Sequence, residues 1–367
     1  MTFKENDQLT GVKEKNQQGI GPLVRKTLLM WARSGPSGIL FLARAALRVH
    51  KANRRRELME KELRTHIPTV MAISPTLKCN YNCLGCYSRS RPEEEEMTTA
   101  ELYKLISEAQ SYGFLSVLIT GGEPFLRSDI PGLISAHQDL MFVVISNGTM
   151  ITEEMAHRLA ASRNCIVLIS VEGFAEQTNQ RRGKGAYETA EKAIRTLRRA
   201  SVPVGFSVTN HAENSACLGS EAFIDQMISL GCVAGLYSEY VPCGPDLHPE
   251  WILTEEERAV FHNRVQYLRH EKPIVLVQFP QDEYGELNHC TAAGQASLHI
   301  NPQGGIEPCP FVPVSVENVR EKGLIEAIRS PFFQSILSKP YLLKRNKYAC
   351  SLYEHISDIK IMADELR

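Results

Sequence analysis

From about residue 69 onward, short apolar runs rich in β-branched residues alternate with helix-length stretches, and the alternation repeats six times. The runs at 70–73, 115–120, 141–146, 166–171, 202–208 and 236–241 have the length and composition of buried strands. Between them, Thr98 followed by Glu101 is the signature of a capping box, opening a helix that ends at Gly113. Further helices are expected near 153–161, 186–199 and 221–230. Such alternation implies an α/β fold, a parallel sheet with helices outside it, open or curled into a partial (β/α)6 barrel. Reactive groups in such folds belong at the carboxyl ends of the strands.

The rest of the 367-residue chain divides around this core. Residues 1–65 read as a basic amphipathic helical extension, 66–247 as the core, and 248–367 as a small α+β module. No Asp or Glu stands between Lys15 and Arg56, while Arg25, Arg44, Arg48, Lys51 and Arg54 interleave with apolar clusters. A break at residues 34–38 is expected to divide two short helices, each too short in its apolar run to span a membrane, which takes roughly 18 residues. The plainer reading is a helical extension packed on the core; the alternative is contact with an anionic surface at the inner membrane face. Over the whole chain 41 basic residues nearly balance 42 acidic ones, so charge points to no nucleic-acid partner. The start of the chain shows no secretory signal, and the ten cysteines are too unevenly placed for a disulfide framework. Metal or redox chemistry in a cytoplasmic protein is the expectation.

Three of those cysteines, Cys79, Cys83 and Cys86, share one loop after the first strand. Three thiolates there can bind three irons of a cubane. Close cysteine spacing also suits tetrahedral zinc, although no paired second half follows nearby. After residue 242 come an expected helix at 255–269, a strand at 274–277, and a hairpin with arms at 296–300 and 306–308. Cys290 and Cys309 flank this hairpin and its turn residue Gly304, and Cys350 follows.

The Cys79–Cys83–Cys86 loop resembles the signature of the radical S-adenosylmethionine (SAM) superfamily, and the resemblance runs in matching order from about residue 69 to 242. Gly121, Gly122, Glu123 and Pro124 follow the second strand like the family's GGEP element, which implies that Glu123 holds the SAM amino group. Ser146 and Asn147 end the third strand, as in many relatives. Ser170 and Glu172 resemble the segment that reaches the SAM ribose, and Arg182 stands where relatives place an arginine near the SAM carboxylate. Thr209 and Asn210 end the fifth strand, and Val241 the sixth, where backbone groups often contact adenine. One place departs from the family: the aromatic residue common before the third cysteine is Gly85, leaving Tyr81 or Tyr87 to supply a stacking surface.

Cys290, Gly304, Cys309 and Cys350 resemble SPASM and twitch modules, which carry auxiliary Fe–S clusters. The closer resemblance is a twitch module with one auxiliary cluster. Its fourth ligand stays open between an exogenous group and a side chain such as Glu354 or His355. The resemblance implies a [4Fe–4S] cluster, SAM, and reductive cleavage of SAM to a 5′-deoxyadenosyl radical that abstracts hydrogen from a substrate. It also implies a reductase partner such as flavodoxin or ferredoxin. A peptide or protein is the first expectation for the substrate, with a small molecule (sugar or cofactor precursor) or a lipid as alternatives. Cys243 is similar in placement to the cysteine by which some radical SAM epimerases return a hydrogen atom; the plainer reading is a small buried hydrophobe. From another class, a non-catalytic Fe–S or zinc redox-sensing protein stays open.

Overall fold

The structure, a computed structural model, describes residues 36–90, 95–287 and 289–367. Its centre is the curled parallel sheet that the strand–helix alternation requires. Strands β1 (Val70–Ile73), β2 (Ser116–Ile119), β3 (Met141–Ser146), β4 (Cys165–Ser170), β5 (Val204–Asn210) and β6 (Ala234–Glu239) pair in sequence order, every pair parallel. Met71, Ile73, Val117, Ile119, Phe142, Val144, Val167 and Ile169 are buried beneath the helices. Burying each contributes roughly 1.5–3 kcal/mol, the main force holding the layers together. The capping box forms as expected: Glu101 N–H donates to Thr98 Oγ1 at 3.3 Å, and Thr98 N–H donates to Glu101 Oε2 at 2.8 Å. That helix, Thr99–Tyr112, stops at Gly113, whose φ of 87° favours glycine.

The sheet does not stop at residue 247. It has nine strands, in the order β7-β6-β5-β4-β3-β2-β1-β8-β9. β7 (Val275–Phe279) extends the parallel sheet beside β6. β8 (Ser297–Ile300) pairs in parallel with β1, and β9 (Ile306–Glu307) closes the expected hairpin. The hairpin therefore lies directly beside the strand that leads into the first cysteine loop: Ser74 N–H donates to Ile300 O at 2.9 Å, and Ser74 Oγ sits 2.8 Å from His299 Nε2. Both cysteine sets are thereby anchored to neighbouring strands. At the opposite edge, Arg269 Nε donates to Leu276 O and Gln278 N–H donates to Asp282. These bonds cap the outward polar groups of β7 and blunt an edge that would otherwise invite another strand.

The expected break at residues 34–38 is not a break from Pro36 onward. One helix runs Pro36–Leu63. Residues 1–35, which carry the first half of the basic segment, lie outside the described residues. Much of the described half is turned onto the core. Arg48 Nε donates to Gln138 O at 2.6 Å, Arg55 Nη1 to Gln110 O at 2.9 Å, and Lys51 pairs with Asp139. Among the described residues no helix is long and apolar enough to cross a membrane.

Candidate functional site

The first cysteine loop leaves β1 and packs at once on the turn after β2. Gly122 N–H donates to Thr76 O, and Glu123 N–H to Lys78 O, each at 2.9 Å. A Cβ at Gly122 would fall 2.2 Å from Lys78 O, and one at Gly121 2.6 Å from Thr76 O. The two glycines are thus required by loop-on-loop packing, which fixes Glu123 beside the cysteines. Glu123 is 1% exposed. Its Oε1 accepts from Phe125 N–H at 3.1 Å and Ser146 Oγ–H at 2.9 Å, and its Oε2 from Asn147 N–H at 2.7 Å. With about four acceptor positions on a carboxylate, one on Oε2 is left for a ligand. Burial pushes this carboxyl above the usual range, and the same three donors pull it back. Pro124 opens a single 3-10 turn that holds Phe125 in the core.

Asn147 joins this turn to the cysteine loop. Its Nδ2 donates to Asn80 Oδ1 at 2.8 Å and lies 3.8 Å from Cys79 Sγ. At the end of β4, Glu172 is fully buried, and both its oxygens are engaged within the protein: Arg181 Nη1 at 2.5 Å, Arg182 Nε at 2.7 Å and Thr209 N–H at 3.1 Å. Burial would raise this carboxyl, but the two arginines hold it below its usual range. Glu172 so positions Arg182, whose Nη1 lies 4.0 Å from Cys83 Sγ. Arg181 O also accepts from Leu84 N–H at 3.0 Å, docking the helix end on the cysteine loop. Ser170 is buried at the end of β4. Asn210 is buried with its Oδ1 unpartnered. Val241 O accepts from Cys243 N–H at 2.8 Å, and a Cβ on the next residue, Gly244, would fall 2.8 Å from Cys86 O.

Sequence reasoning missed the aromatic group beside this loop. Gly85 has φ +60°, and a Cβ there would lie 2.9 Å from the Trp251 ring and 3.1 Å from Tyr240. Trp251 itself is sandwiched between His211, 4.4 Å away, and His248, 4.0 Å away, with both imidazoles nearly parallel to it. Burial lowers the His211 pKa to about 4, so its ring is neutral near pH 7. Tyr87 is committed elsewhere, its hydroxyl 2.9 Å from Thr120 Oγ1 and its ring edge-on to Phe311. The only local signal was the glycine where relatives carry an aromatic residue.

None of the ten cysteines, all of them among the described residues, forms a disulfide. Burial pushes the Cys79 thiol up, and the Cys83 thiol too, against the pull of Arg182 and Arg181. Cys290, Cys309 and Cys350 come from separate elements but gather in one buried place. The Cys309 thiol donates to Cys350 sulfur, which holds Cys350 below the ordinary thiol range and lifts Cys309 above it; Cys290 feels the Cys350 charge. Among the described residues no three His, Cys, Asp or Glu side chains converge on a single ion. The soft, all-sulfur donor sets fit iron–sulfur clusters, whose thiolates bind separate irons. Cys79, Cys83 and Cys86 would hold one cluster, and Cys290, Cys309 and Cys350 the other.

Each of the two cysteine sets falls within a stretch of the chain that matches a known family. The family described as the radical SAM superfamily matches residues 73–215, and the SPASM iron–sulfur cluster-binding domain matches residues 290–351. Fe-coproporphyrin III synthase of Methanosarcina barkeri is 29% identical over 228 residues, which cover 60% of this chain and 56% of that protein. The chain thus spans little more than half the length of that relative. AdoMet-dependent heme synthase of the same organism is 26% identical, covering 70% of this chain and 81% of its own. Mycofactocin maturase MftC of Mycolicibacterium smegmatis is 28% identical, covering 66% and 64%. Streptococcus suis SuiB, solved with S-adenosylmethionine, shares the fold with a TM-score of 0.65 at 17% identity, over 78% of this chain and 71% of its own. The chain belongs to the radical SAM superfamily and carries a C-terminal SPASM iron–sulfur cluster-binding domain.

Proposed function

We propose that this chain cleaves SAM reductively and uses the resulting radical to modify a peptide or protein. The observation that carries the reading is the packing of the Cys79–Cys83–Cys86 loop against the turn that buries Glu123. The cluster, when bound and reduced by a flavodoxin or ferredoxin, supplies the electron that splits SAM into methionine and a 5′-deoxyadenosyl radical. The chain's own residues do the holding. Glu123 offers its open Oε2 position to the SAM ammonium, and Ser146 and Asn147 lock that carboxylate. Ser170, Thr209, Asn210 and Val241 line the strand ends where ribose and adenine would lie. Trp251, packed against Gly85 and covered on both faces by His211 and His248, helps exclude water from the cysteine loop. The maturase relative, and SuiB, also solved with its precursor peptide SuiA, support the peptide substrate.

A second reading is a small carboxylate-bearing molecule. The two Methanosarcina barkeri relatives are named for an iron coproporphyrin and for heme. A cleft at the ends of β5–β7 is lined by Asn210, Glu239, Arg258 and Gln278, and Arg345 reaches Gln281 at its rim. Arg258 is paired with Glu239 at 2.6 Å, which leaves Arg345 at the rim to meet a carboxylate. Anaerobic assays offering candidate peptides in one arm and iron-coproporphyrin III in the other decide between them. The true substrate raises 5′-deoxyadenosine above the uncoupled background, and failure of every peptide while the porphyrin succeeds refutes the first reading.

Cys243 belongs to the same proposal. Its thiol is half-buried beside the loop that packs on Cys86. Its S–H would give a hydrogen atom to the substrate carbon radical, and the thiyl left behind would take one electron from the reductase and one proton from solvent. Cys243→Ala would then leave 5′-deoxyadenosine formation running but yield no closed product; normal product from that variant ends the idea.

A further inference from the structure

Glu283 stands beside the second cysteine set, and the function proposed above gives it no role. It lies in the helix Gln281–Leu287, which is pinned to the cysteines at two points. The next residue, Tyr284, donates its hydroxyl to Ser351 Oγ at 2.9 Å and accepts from Ser351 N–H at 3.1 Å, directly after Cys350. Thr291, directly after Cys290, donates its N–H to Glu283 Oε2 at 3.3 Å. Glu283 is thus tied to the neighbours of two cysteines, and both Cys290 and Cys350 feel its charge. Its carboxyl is raised by burial and pulled back by hydrogen bonds from Thr291 and by the charge of His289. The bond from Thr291 orients Oε2, the arrangement by which outer hydrogen bonds aim ligating carboxylates.

The two side chains open from sequence face other groups. Glu354 accepts from Asn346 Nδ2 at 3.0 Å and from Lys347 N–H. His355 lies edge-on to Tyr341 and 3.8 Å from Asp358. We infer that Glu283 supplies a carboxylate oxygen as the fourth protein ligand of the auxiliary cluster held by Cys290, Cys309 and Cys350. This rests on the reading of those three cysteines as cluster ligands and goes beyond it.

The test uses the full chain carrying Cys79→Ala, Cys83→Ala and Cys86→Ala, reconstituted anaerobically so that only the auxiliary cluster remains. This parent should hold about four irons, with a reduced-state electron paramagnetic resonance signal indifferent to 2-mercaptoethanol. Glu283→Gln should keep the signal but alter its shape and make it respond to the thiol, which enters the opened position. Glu283→Cys should restore a thiol-indifferent signal, and His289→Ala should leave the parent signal unchanged. A Glu283→Gln signal identical to the parent's, or a ligand-type change in His289→Ala instead, overturns the assignment while the auxiliary cluster stands. A parent without about four irons overturns the auxiliary-cluster reading itself, and the assignment with it.

Discussion

Arg182 lies with its Nη1 4.0 Å from Cys83 Sγ while its Nε is bonded to the buried Glu172 at 2.7 Å. A full positive charge is therefore fixed beside one ligand of the first cluster, in a place where solvent screens it little. Reduction adds negative charge there, so the guanidinium favours the reduced state. Arg182→Gln should lower that cluster's potential by on the order of 50 mV, read by anaerobic redox titration. An unchanged potential would show that the arginine acts only on the fold of the loop.

Glu123 has one unfilled acceptor position within a carboxylate otherwise saturated by Phe125, Ser146 and Asn147. Glu123→Gln removes the charge offered to the SAM ammonium, a charge-assisted bond of roughly 1.5–3 kcal/mol. SAM should bind about 10- to 100-fold more weakly while the cluster's visible spectrum persists, as equilibrium dialysis against labelled SAM would show. Equal affinity would take Glu123 out of the SAM site.

Gly85 meets two costs at once when replaced. At φ +60° a side chain pays roughly 1–2 kcal/mol for its left-handed backbone, and its Cβ would press into the Trp251 ring at 2.9 Å. Gly85→Ala should destabilise the chain by about 2–3 kcal/mol in denaturant melts. In a Trp251→Leu background only the backbone part, about 1–2 kcal/mol, should remain. Equal losses in both backgrounds would mean that the ring does not fill that space.

His211 makes stability fall with acid. Its ring, buried against Trp251, has a pKa of about 4 in the folded chain, against about 6.5 when unfolded. Between those values the unfolded chain binds more protons, so stability is fully present above about pH 6.5 and is lost as pH falls toward 4. His211→Phe keeps the stack without the titration. From pH 7 to 5 the parent should lose about 1–2 kcal/mol more than the variant. Parallel losses would put the acid sensitivity elsewhere.

The order of strands β1–β6, and the placing of Cys79, Glu123, Asn147 and Glu172 at their ends, were legible because each strand carries its own β-branched run and its own terminal polar residues. Contacts set by distant parts of the chain were not. Trp251 reaches Gly85 across the loop that follows β6, and only the missing side chain at Gly85 hinted at a substitute. The sequence resemblance points Glu172 toward the ribose, whereas the sheet aims it at Arg181, Arg182 and Thr209, an arrangement that depends on where the Ala175–Arg182 helix lands. The run at 274–277 and the hairpin around Gly304 were seen as local elements. Their pairing with β6 and β1 is a choice of sheet edge that short apolar segments do not encode locally. Glu283 lies in a helix with no marked periodicity, and only the folded neighbours of Cys290 and Cys350 single it out.

The central claim is that Cys79, Cys83 and Cys86 hold the cluster at which SAM is cleaved. Its most direct measurement compares the parent chain with the Cys79→Ala, Cys83→Ala, Cys86→Ala variant, both reconstituted anaerobically and reduced with dithionite in the presence of SAM. The parent should carry about eight irons, from two cubanes, and release 5′-deoxyadenosine. The variant should keep about half the iron and release none; 5′-deoxyadenosine from the variant would contradict the account.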